Sequence, residues 1–576
     1  MRRPASRLAL AGLLPALALW PASSSASLSQ LSQVSCPGGA PADFQCASVT
    51  VPLARSGPPQ GTIELKMERK QAGFEPSRSA VVALAGGPGQ AALPLGEFVA
   101  KTMAPALGPR DLVVFDQRGT GESDPLSCPA FASPDEAEHA KSLGALIGSC
   151  ALQLGAARGA YTTQESVADI EAIRKAGGYE RLVLYGTSYG TKVALAYAER
   201  YPQYVEALVL DSVVPSTGPE PFSVATFQAI PEVLNELCAH NGCAGVTSSP
   251  TLDLARLVSQ LRKHALSGSV YDGSGHRHTI HMGETSLLGI LQAGDLNPAL
   301  RALLPAAVVS ALHRDPDPLL RLYLLSVGLI PNLPNLPTGR PTEGAEGIDE
   351  ALFIDTSCEE LPFPWQRSAS ATTRTSEALA ALHAVPGSDF YPFDASTAYA
   401  ASLVPACAAW PDASPPPPPE SPLPNVPTLI LSGEQDLRTP TAYARAVASR
   451  IPDAQVLLAP YTGHSVLGAD FSGCAAQAVT AFFANAPIQQ CSIAQNPFSP
   501  TPVTPTKLAY IHPPSVLGGR PGQTLTAVLD TILDLERQVI GATLQADAQL
   551  PAGSSFGGLR GGYARLENSS VVLHDF

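Results

Sequence analysis

A glycine-flanked serine is the first candidate for chemistry in this chain. Residues 186–190 read GTSYG, a G-x-S-x-G pattern, and they stand between a strand-like run at 181–185 and a helical run at 189–200. A sharp strand-to-helix turn with this pattern exposes the serine hydroxyl at the edge of a sheet, at the N-terminus of a helix. The pattern alone arises easily by chance among 48 glycines, but this context makes it specific. We predict that Ser188 is a nucleophile for acyl transfer.

A serine nucleophile needs a base and a group that orients the base. Asp436 and His464 follow Ser188 in the chain order nucleophile, acid, histidine, and each comes just after a predicted strand. His464 would take the hydroxyl proton of Ser188 and return it to the leaving group, while Asp436 would fix the imidazole tautomer. An ordinary loop histidine is the alternative interpretation of His464, and Glu434 is the alternative acid.

Acyl transfer also needs hydrogen-bond donors for the oxyanion of the tetrahedral intermediate. The backbone N–H of Tyr189, directly after the predicted nucleophile, is one candidate. The second comes from the GGPG run at residues 86–89, which follows the predicted strand 80–85 and lets the backbone approach a substrate carbonyl. A plain turn is the alternative interpretation of GGPG. Within an alternating strand and helix pattern, we favour the oxyanion hole.

Strand-like and helical runs alternate around these residues, as a parallel sheet requires. The predicted strands are residues 47–53, 62–68, 80–85, 111–115, 181–185, 207–210, 428–431 and 455–458, and the predicted helices are 162–175, 189–200, 440–450 and 474–485. Between 211 and 428 the pattern changes to helical stretches with proline-rich connections. We therefore predict an α/β fold with a mostly parallel sheet, a large and mainly helical cap insertion and a small C-terminal extension.

This pattern divides the chain into five parts. We predict a signal peptide at residues 1–26, a first core part at 27–215, a cap or lid at 216–420, a second core part at 421–494 and an extension at 495–576. The cap would cover the carboxyl ends of the strands, where ligands bind in α/β sheets. The role of the extension, which contains a helical run at 525–540, stays open.

Composition and charge narrow the classes of partner. With 45% hydrophobic and 15% charged residues among 576, the chain is long and apolar enough for large buried cores. The formal net charge of −14 and the absence of a Lys/Arg-rich run argue against nucleic acid and anionic membrane surfaces as partners. The predicted acyl-transfer chemistry requires neither a metal nor an organic cofactor, and we expect none.

The N-terminus predicts export. Arg2, Arg3 and Arg7 precede an apolar run at 8–20 and small residues at 21–26, the order typical of a secretory signal peptide. The apolar run is shorter than the ~20 residues that span a bilayer, which disfavours a membrane anchor. We therefore expect cleavage after residue 26 and a periplasmic or secreted protein without stable membrane association.

The ten cysteines predict disulfide bridges. An even number in an exported chain, without a CxxC pair, favours structural bridges over metal ligands or catalytic thiols. Connectivity is underdetermined by the sequence. Pairing neighbours along the chain gives the arrangement that we favour, which is Cys36–Cys46, Cys128–Cys150, Cys238–Cys243, Cys358–Cys407 and Cys474–Cys491.

Several of these segments together resemble the proline iminopeptidase and tripeptidyl aminopeptidase group of serine exopeptidases. The resemblance lies in GGPG at 86–89, DQRGTGES at 116–123, GTSYGT at 186–191 and the segments around Asp436 and His464. It covers about residues 46–211 and 420–490 and implies an α/β-hydrolase fold with a helical cap, with Gly87 as an oxyanion donor. Proline iminopeptidases usually carry His where this chain has Ala85, which brings it closer to the secreted tripeptidyl branch.

The resemblance also implies cleavage of residues or short peptides from free N-termini, which requires recognition of a protonated amine. Glu359 and Glu360, in the predicted cap, are candidate partners, because a carboxylate in a low-dielectric pocket binds an ammonium group as a charge-assisted pair. An acid at the position of Glu359 recurs in the tripeptidyl branch, and Glu360 is the rival position. A solvated acidic pair is the alternative interpretation.

The resemblance leads us to expect a secreted serine aminopeptidase of the tripeptidyl or prolyl type, acting on peptides with free N-termini. An esterase or lactonase with the same triad is the main alternative, because these motifs define acyl transfer and not the acyl acceptor. A catalytically inactive binding protein on the same scaffold is a third hypothesis. A peptidase should have carboxylates in the cap, whereas a lipase-like esterase should have an apolar acyl tunnel.

Overall fold

The structure is a computed structural model of the chain. It describes residues 31–36, 40–56, 60–73, 77–132, 142–333, 347–493, 495–546 and 549–575. The predicted signal peptide, residues 1–26, lies outside these described residues. Within them, no helix combines the length and the apolar character that crossing a membrane would require.

A large mixed sheet forms the centre of the molecule. The described residues form fourteen strands, which are β1 Ser32–Gln33, β2 Gln45–Pro52, β3 Thr62–Lys70, β4 Ser79–Leu84, β5 Asp111–Phe115, β6 Arg181–Thr187, β7 Val205–Asp211, β8 Leu266–Tyr271, β9 Arg277–Met282, β10 Thr428–Gly433, β11 Ala454–Ala459, β12 Ser555–Gly557, β13 Tyr563–Leu566 and β14 Val571–His574. Nine of them make one sheet in the order β1-β2-β3-β5-β4-β6-β7-β10-β11. Pairing is parallel from β5 across to β11 and antiparallel from β1 to β5 through β2 and β3. This confirms the predicted α/β class with a mostly parallel sheet.

Helices cover the sheet and fill the insertion. The described residues contain twenty α-helices, which are α1 Gly96–Thr102, α2 Ala104–Leu107, α3 Pro129–Ala132, α4 Leu143–Leu154, α5 Thr163–Ala176, α6 Tyr189–Arg200, α7 Val224–Leu237, α8 Pro250–Leu261, α9 Glu284–Ala293, α10 Pro298–Arg301, α11 Leu304–Leu312, α12 Asp317–Ser326, α13 Glu350–Glu360, α14 Ala371–Ala384, α15 Ala395–Ala401, α16 Val404–Cys407, α17 Thr441–Ala448, α18 Val466–Ala469, α19 Cys474–Phe483 and α20 Gly519–Ala546. The four helices predicted for the core correspond to α5, α6, α17 and α19. Strands and helices therefore alternate along the core as predicted.

The two faces of the central sheet are buried by different helices. Val82 of β4 packs in one core with Val193 of α6, whereas Val81 of β4 packs in another core with Val479 of α19. All four side chains are 0% exposed. Successive residues of a strand point to opposite faces, so a continuous apolar run such as β4 marks a strand that is covered on both sides.

The residues between β7 and β10 form an insertion with a hydrophobic core of its own. This insertion holds α7 to α16 and the hairpin β8–β9, and Phe227, Leu257, Leu287 and Leu320 are among its buried residues. The hairpin departs from the expected helical character. Its first strand, LSGSVY, carries serine and glycine where strands usually have branched or aromatic residues, so its strand signal is weak.

All ten cysteines lie in disulfide pairs. The five pairs are Cys36–Cys46, Cys128–Cys150, Cys238–Cys243, Cys358–Cys407 and Cys474–Cys491. They are the pairs of sequence neighbours favoured above. Cys358–Cys407 joins α13 to α16 inside the insertion and thereby restrains the helix that carries Glu359 and Glu360.

The C-terminal extension packs against the insertion. Its long helix α20 contacts α10 and α12. Arg321 of α12 pairs with Asp534 of α20, and Arg560 pairs with Asp315. The helical run predicted at 525–540 is part of the longer α20, and the glycine-rich end of the chain forms the small sheet β12–β13–β14. The extension is thus built onto the insertion.

Candidate active site

Ser188 occupies a sharp turn between β6 and α6. Its backbone has φ +55° and ψ −122°, a conformation that a residue with a side chain rarely adopts. The flanking glycines are required by close backbone contacts. A Cβ on Gly186 would lie 2.5 Å from the carbonyl oxygen of Gly190, and a Cβ on Gly190 would lie 2.1 Å from that of Leu84. The tight turn holds the partly exposed Ser188 at the carboxyl edge of the sheet.

His464 and Asp436 form a buried hydrogen-bonded pair. The imidazole Nδ1 lies 2.8 Å from Asp436 Oδ2, and the two side chains are 4% and 0% exposed. Asp436 follows β10 and His464 follows β11, so both lie at the same carboxyl edge as Ser188. Donation by Nδ1 to the carboxylate places the basic lone pair of the imidazole on Nε2.

The surroundings of Asp436 keep its carboxyl group ionised. Burial by itself would raise its pKa, but the charge and hydrogen bond of His464 and the bonds from Thr439 outweigh burial and lower the pKa to about 2. Asp436 Oδ1 accepts the backbone N–H groups of Arg438 at 2.9 Å and Thr439 at 2.8 Å, and Oδ2 accepts the Thr439 hydroxyl at 2.5 Å. The carboxylate is therefore both charged and fixed in orientation towards the imidazole.

Asp211, at the end of β7, connects the serine turn with the histidine loop. Its carbonyl oxygen accepts the backbone N–H of Ser188 at 2.9 Å, and its carboxylate accepts those of Val466 at 2.7 Å and Leu467 at 3.0 Å. Burial raises its pKa to about 6, although these two bonds and the nearby His464 oppose the rise. The sequence predictions did not include Asp211. A charged residue directly after a buried apolar strand at the carboxyl edge is the signal that could have found it.

The glycine-rich loop after β4 lies beside Ser188. A Cβ on Gly86 would lie 3.2 Å from the Cβ of Ser188, and Gly87 has φ +97°. On the other side, Tyr189 is the first residue of α6, where a helix leaves backbone N–H groups without intrahelical acceptors. Of the two residues predicted as oxyanion donors, Tyr189 thus directly follows the predicted nucleophile, and Gly87 belongs to the loop beside it.

Glu359 is enclosed by donors from its own surroundings. Its carboxylate accepts Trp410 Nε1 at 2.9 Å, the Ala413 N–H at 3.1 Å, and the N–H and hydroxyl of Ser414 at 2.9 and 2.8 Å. The side chain is 0% exposed and also lies 3.4 Å from the guanidinium of Arg367. This arrangement leaves no acceptor position for a substrate amine, which argues against the amine-binding role predicted for Glu359. Glu359 instead fixes the loop at residues 410–414.

Glu360 has a different environment beside the serine turn. Its Oε2 lies 2.6 Å from Lys192 Nζ and accepts the Thr163 hydroxyl at 2.6 Å, and the backbone N–H of Thr163 also donates to the carboxylate. Thr163 Oγ1 in turn lies 2.9 Å from the phenol oxygen of Tyr189. Glu360, Lys192 and Phe363 line one cavity of about 290 Å³. Glu360 is thus linked through Thr163 to the residue that follows Ser188.

Asp355, one turn earlier on α13, is buried without a partner. The residue is 0% exposed, and within the described residues neither of its carboxylate oxygens has a hydrogen bond. Burial first, and then the negative charge of Glu359, raises its pKa well above the ordinary value. Nothing in the local sequence of α13 marks this residue, because its isolation depends on the packing around the helix.

The groups that the structure gathers at this edge are hydroxyl, imidazole and carboxyl groups. Among the described residues, no cluster of three or more His, Cys, Asp or Glu side chains has the arrangement of a metal site. The ten cysteines are all engaged in disulfides.

Two regions of the chain match known families. Residues 79–263 match the α/β hydrolase fold family, and residues 391–492 match the TAP-like protein family. The first region includes Ser188, and the second includes Asp436 and His464. The two families therefore cover the residues that the fold brings to one edge of the sheet.

Curated relatives are similar to this chain over part of their length. The chain is 31% identical over 233 residues to serine protease Hip1 of Mycobacterium tuberculosis, which covers 37% of this chain and 44% of that protein. It is 31% identical over 196 residues to tripeptidyl aminopeptidase of Streptomyces lividans, covering 30% and 36%. It is 31% identical over 135 residues to proline iminopeptidase of Neisseria gonorrhoeae, covering 23% and 32%. The chain thus spans less than half the length of these relatives.

A solved structure, proline iminopeptidase of Mycobacterium smegmatis, aligns over 76% of this chain and 100% of its own, with 16% identity and a TM-score of 0.30. The family regions and the named relatives agree with the resemblance stated from the motifs. The chain therefore contains a region of the α/β hydrolase fold family and a TAP-like region, and it is similar over part of its length to tripeptidyl aminopeptidase and proline iminopeptidase.

Proposed function

We propose that this protein is a serine aminopeptidase that releases residues or short peptides from free N-termini through an acyl-enzyme. The observation that carries the proposal is the buried contact of His464 Nδ1 with Asp436 Oδ2 at 2.8 Å, at the same edge of the sheet as the strained turn of Ser188. The peptidase names of the relatives favour a peptide substrate. An ionised and oriented acid, a base and an exposed hydroxyl are the groups that acyl transfer requires.

The proposed reaction proceeds in two halves. Ser188 Oγ attacks the carbonyl carbon of the scissile amide while His464 Nε2 accepts the hydroxyl proton, and the oxyanion is bound by the N–H groups of Gly87 and Tyr189. His464 then protonates the leaving amine, and the C–N bond breaks to give the acyl-enzyme. A water molecule attacks the ester with His464 as base and restores Ser188. Asp436 stabilises the imidazolium in both halves.

The insertion is proposed to act as a cap over this site. Three of its contacts lie at the carboxyl edge: Thr226 Oγ1 donates to Leu437 O at 2.8 Å, and Asp295 and Asp349 bond the backbone at His464 and Gly89. Each contact touches a loop that carries or adjoins a proposed catalytic group. A cap in this place excludes water and restricts the length and end group of the substrate.

Of the two predicted amine-binding acids, we retain Glu360 for the proposal. It lines a cavity and connects through Thr163 to Tyr189, and its three donors, from Lys192 and Thr163, leave one acceptor position of the carboxylate, whereas the acceptors of Glu359 are occupied. In Glu360→Gln we expect KM for a free-amine substrate to rise at least about tenfold, against less than about twofold for the acetylated substrate. Glu359→Gln is the matched control, because it removes a neighbouring buried carboxylate without touching the cavity. Equal effects of Glu360→Gln on both substrates would remove it from amine recognition.

Export is proposed together with this activity. Five disulfides in the described chain support an oxidising compartment, since such bridges are rare in the cytosol. Sequencing the N-terminus of the protein recovered outside the cytoplasm should find cleavage after residue 26. A mature chain that keeps Arg2 and Arg3 would contradict this part of the proposal.

One assay series tests the activity itself. Chromogenic amides of proline, alanine and a tripeptide are offered with a free and with an acetylated N-terminus, beside a short-chain ester. We expect turnover of the free-amine amides, rejection of the acetylated ones and labelling of Ser188 by a fluorophosphonate, located by mass spectrometry. Ester turnover without any amide turnover would favour the esterase or lactonase, and no labelling of folded protein would refute the proposed nucleophile.

A further inference from the structure

Two buried charged residues of the insertion lie between the loops that carry Asp436 and His464. Arg301 forms an ion pair with Asp295, and their side chains are 2% and 0% exposed. The Arg301 guanidinium also donates to the carbonyl oxygen of Gln435, the residue before Asp436. The carbonyl oxygen of Asp295 accepts the backbone N–H of His464 at 2.9 Å. This one ion pair therefore contacts both loops.

The approach of the insertion to the histidine loop is very close. A Cβ on Gly463 would lie 2.0 Å from the carbonyl oxygen of Asp295, so only glycine lets the two backbones meet here. Burying an ion pair costs the solvation of both charges, so the pair is weak evidence for net stability. The Arg301–Asp295 pair is therefore located where it can set the position of both loops.

The segment around Arg301 also contacts the C-terminal extension. Asn297 accepts the N–H of Leu300 at 3.2 Å as the cap of α10, and its amide donates to the carbonyl oxygen of Gly541 in α20 at 2.8 Å. A Cβ on Gly541 would lie 2.7 Å from the Leu300 side chain. The N–H of Thr501 donates to the carbonyl oxygen of Ala302 at 3.1 Å. Helix α10 is therefore held between the extension and the two loops.

We propose that the C-terminal extension holds the catalytic loops in position. Its contacts with α10 fix Arg301 and Asp295, and these two positioning residues contact the loops that carry Asp436 and His464. A helix of a single turn such as α10 does not keep its orientation by itself, so its packing partners decide where Arg301 points. This inference rests on the proposed function, because it concerns the placement of the base and its acid. It gives the described part of the C-terminal extension a role in positioning the catalytic loops.

The test uses point variants of the full chain. Asn297→Ala removes the bond to Gly541, and Gly541→Leu places a side chain where Leu300 packs. In each variant we expect kcat to fall at least about fivefold while KM changes less than about twofold, because the base is displaced and the substrate pocket is not. The rate of fluorophosphonate labelling of Ser188 should fall in parallel. Arg301→Lys, which keeps a cation beside Asp295, should lose less activity than Arg301→Ala.

Val528→Ala is the control, because Val528 lies on the same helix α20 and is 49% exposed. It should leave kcat and the labelling rate unchanged. Folded Asn297→Ala with wild-type kcat and a wild-type labelling rate would refute the proposed role of the extension, even if the thermal stability of the variant were lower. If Gly541→Leu does not fold, Asn297→Asp decides, because its carboxylate still caps the N–H of Leu300 but no longer donates to the carbonyl oxygen of Gly541. A wild-type protein that is not labelled at Ser188 would instead refute the proposed function.

Discussion

Two regions of the molecule bury an aspartate with opposite results. Asp436 at the carboxyl edge of the sheet and Asp355 on α13 are 1% and 0% exposed. Burial acts to raise both pKa values, but the partners of Asp436 outweigh it and lower the pKa to about 2, whereas the pKa of Asp355 is raised well above its usual range. Hydrogen bonds and a cationic partner therefore decide whether a buried carboxyl group stays ionised.

Glu359 shows that a buried carboxylate can have all its acceptor positions occupied by hydrogen-bond donors without being part of the proposed catalytic pair. Like Asp436, it is buried and accepts several hydrogen bonds, but they come from Trp410, Ala413 and Ser414 and, at 3.4 Å, from the guanidinium of Arg367, and none comes from an imidazole. Asp436 differs because one of its donors is His464, a base within a loop at the sheet edge. The useful distinction between the two regions is thus the imidazole partner.

Loss of the proposed nucleophile should have the largest effect. Ser188→Ala removes one partly exposed hydroxyl, so we expect kcat to fall by at least about 10⁴-fold with the free energy of unfolding nearly unchanged. The matched control is Ser267→Ala, at an exposed position of β8, which should retain full activity. Turnover in purified Ser188→Ala above one hundredth of wild type would contradict the assignment.

Asp436→Asn tests the proposed role of the aspartate that pairs with His464. The amide would favour the wrong imidazole tautomer, so we expect kcat to fall by about 10³- to 10⁴-fold. The folded-state pKa of about 2 lies below the ordinary value of 3.8, so this group stabilises the fold above pH 4 and the stabilisation is lost as pH falls towards 2. Urea unfolding at pH 2.5 and pH 6 should therefore show a smaller difference for the variant than for the wild type. Near-normal kcat would point to Glu434 as the acid.

Glu359→Gln tests whether a saturated acid can be purely structural. The amide NH₂ would face backbone and indole donors, so we expect a loss of about 1–3 kcal/mol in the free energy of unfolding. The ratio of KM values for free-amine and acetylated substrates should not change. A change in that ratio with unaltered stability would return Glu359 to the substrate site.

Asp355→Asn should change the free energy of unfolding in the opposite direction. The folded-state pKa lies above the unfolded value, so ionisation favours unfolding as pH rises above about 4, at about 1.4 kcal/mol for each unit of pKa difference. The variant cannot ionise, and its stability relative to the wild type should increase from pH 4 to pH 7. Urea unfolding at both pH values measures this. An equal difference at the two pH values would show that Asp355 has a partner when charged.

Local sequence was sufficient for the core elements and for the position of the proposed catalytic groups. The apolar runs of β4, β6 and β10 and the cap of α5 are local patterns, and the structure places these elements close to their predicted bounds. The need for glycine at positions 186 and 190 could also be predicted from the sequence. The contacts that demand glycine lie within a few residues or on the neighbouring strand. Four of the five disulfides join cysteines separated by 22 positions or fewer, whereas Cys358–Cys407 spans 49.

Only the tertiary structure decided which acids are paired and with what. Glu359 and Glu360 are adjacent in sequence, but one meets a loop about 50 residues later and the other meets Thr163 and Lys192, which precede it by well over 150 residues. The contact of Asn297 with Gly541 spans 244 positions. Local periodicity records whether a residue faces a core, but it does not record which distant group shares that space, and burial energies and pKa values depend on that group.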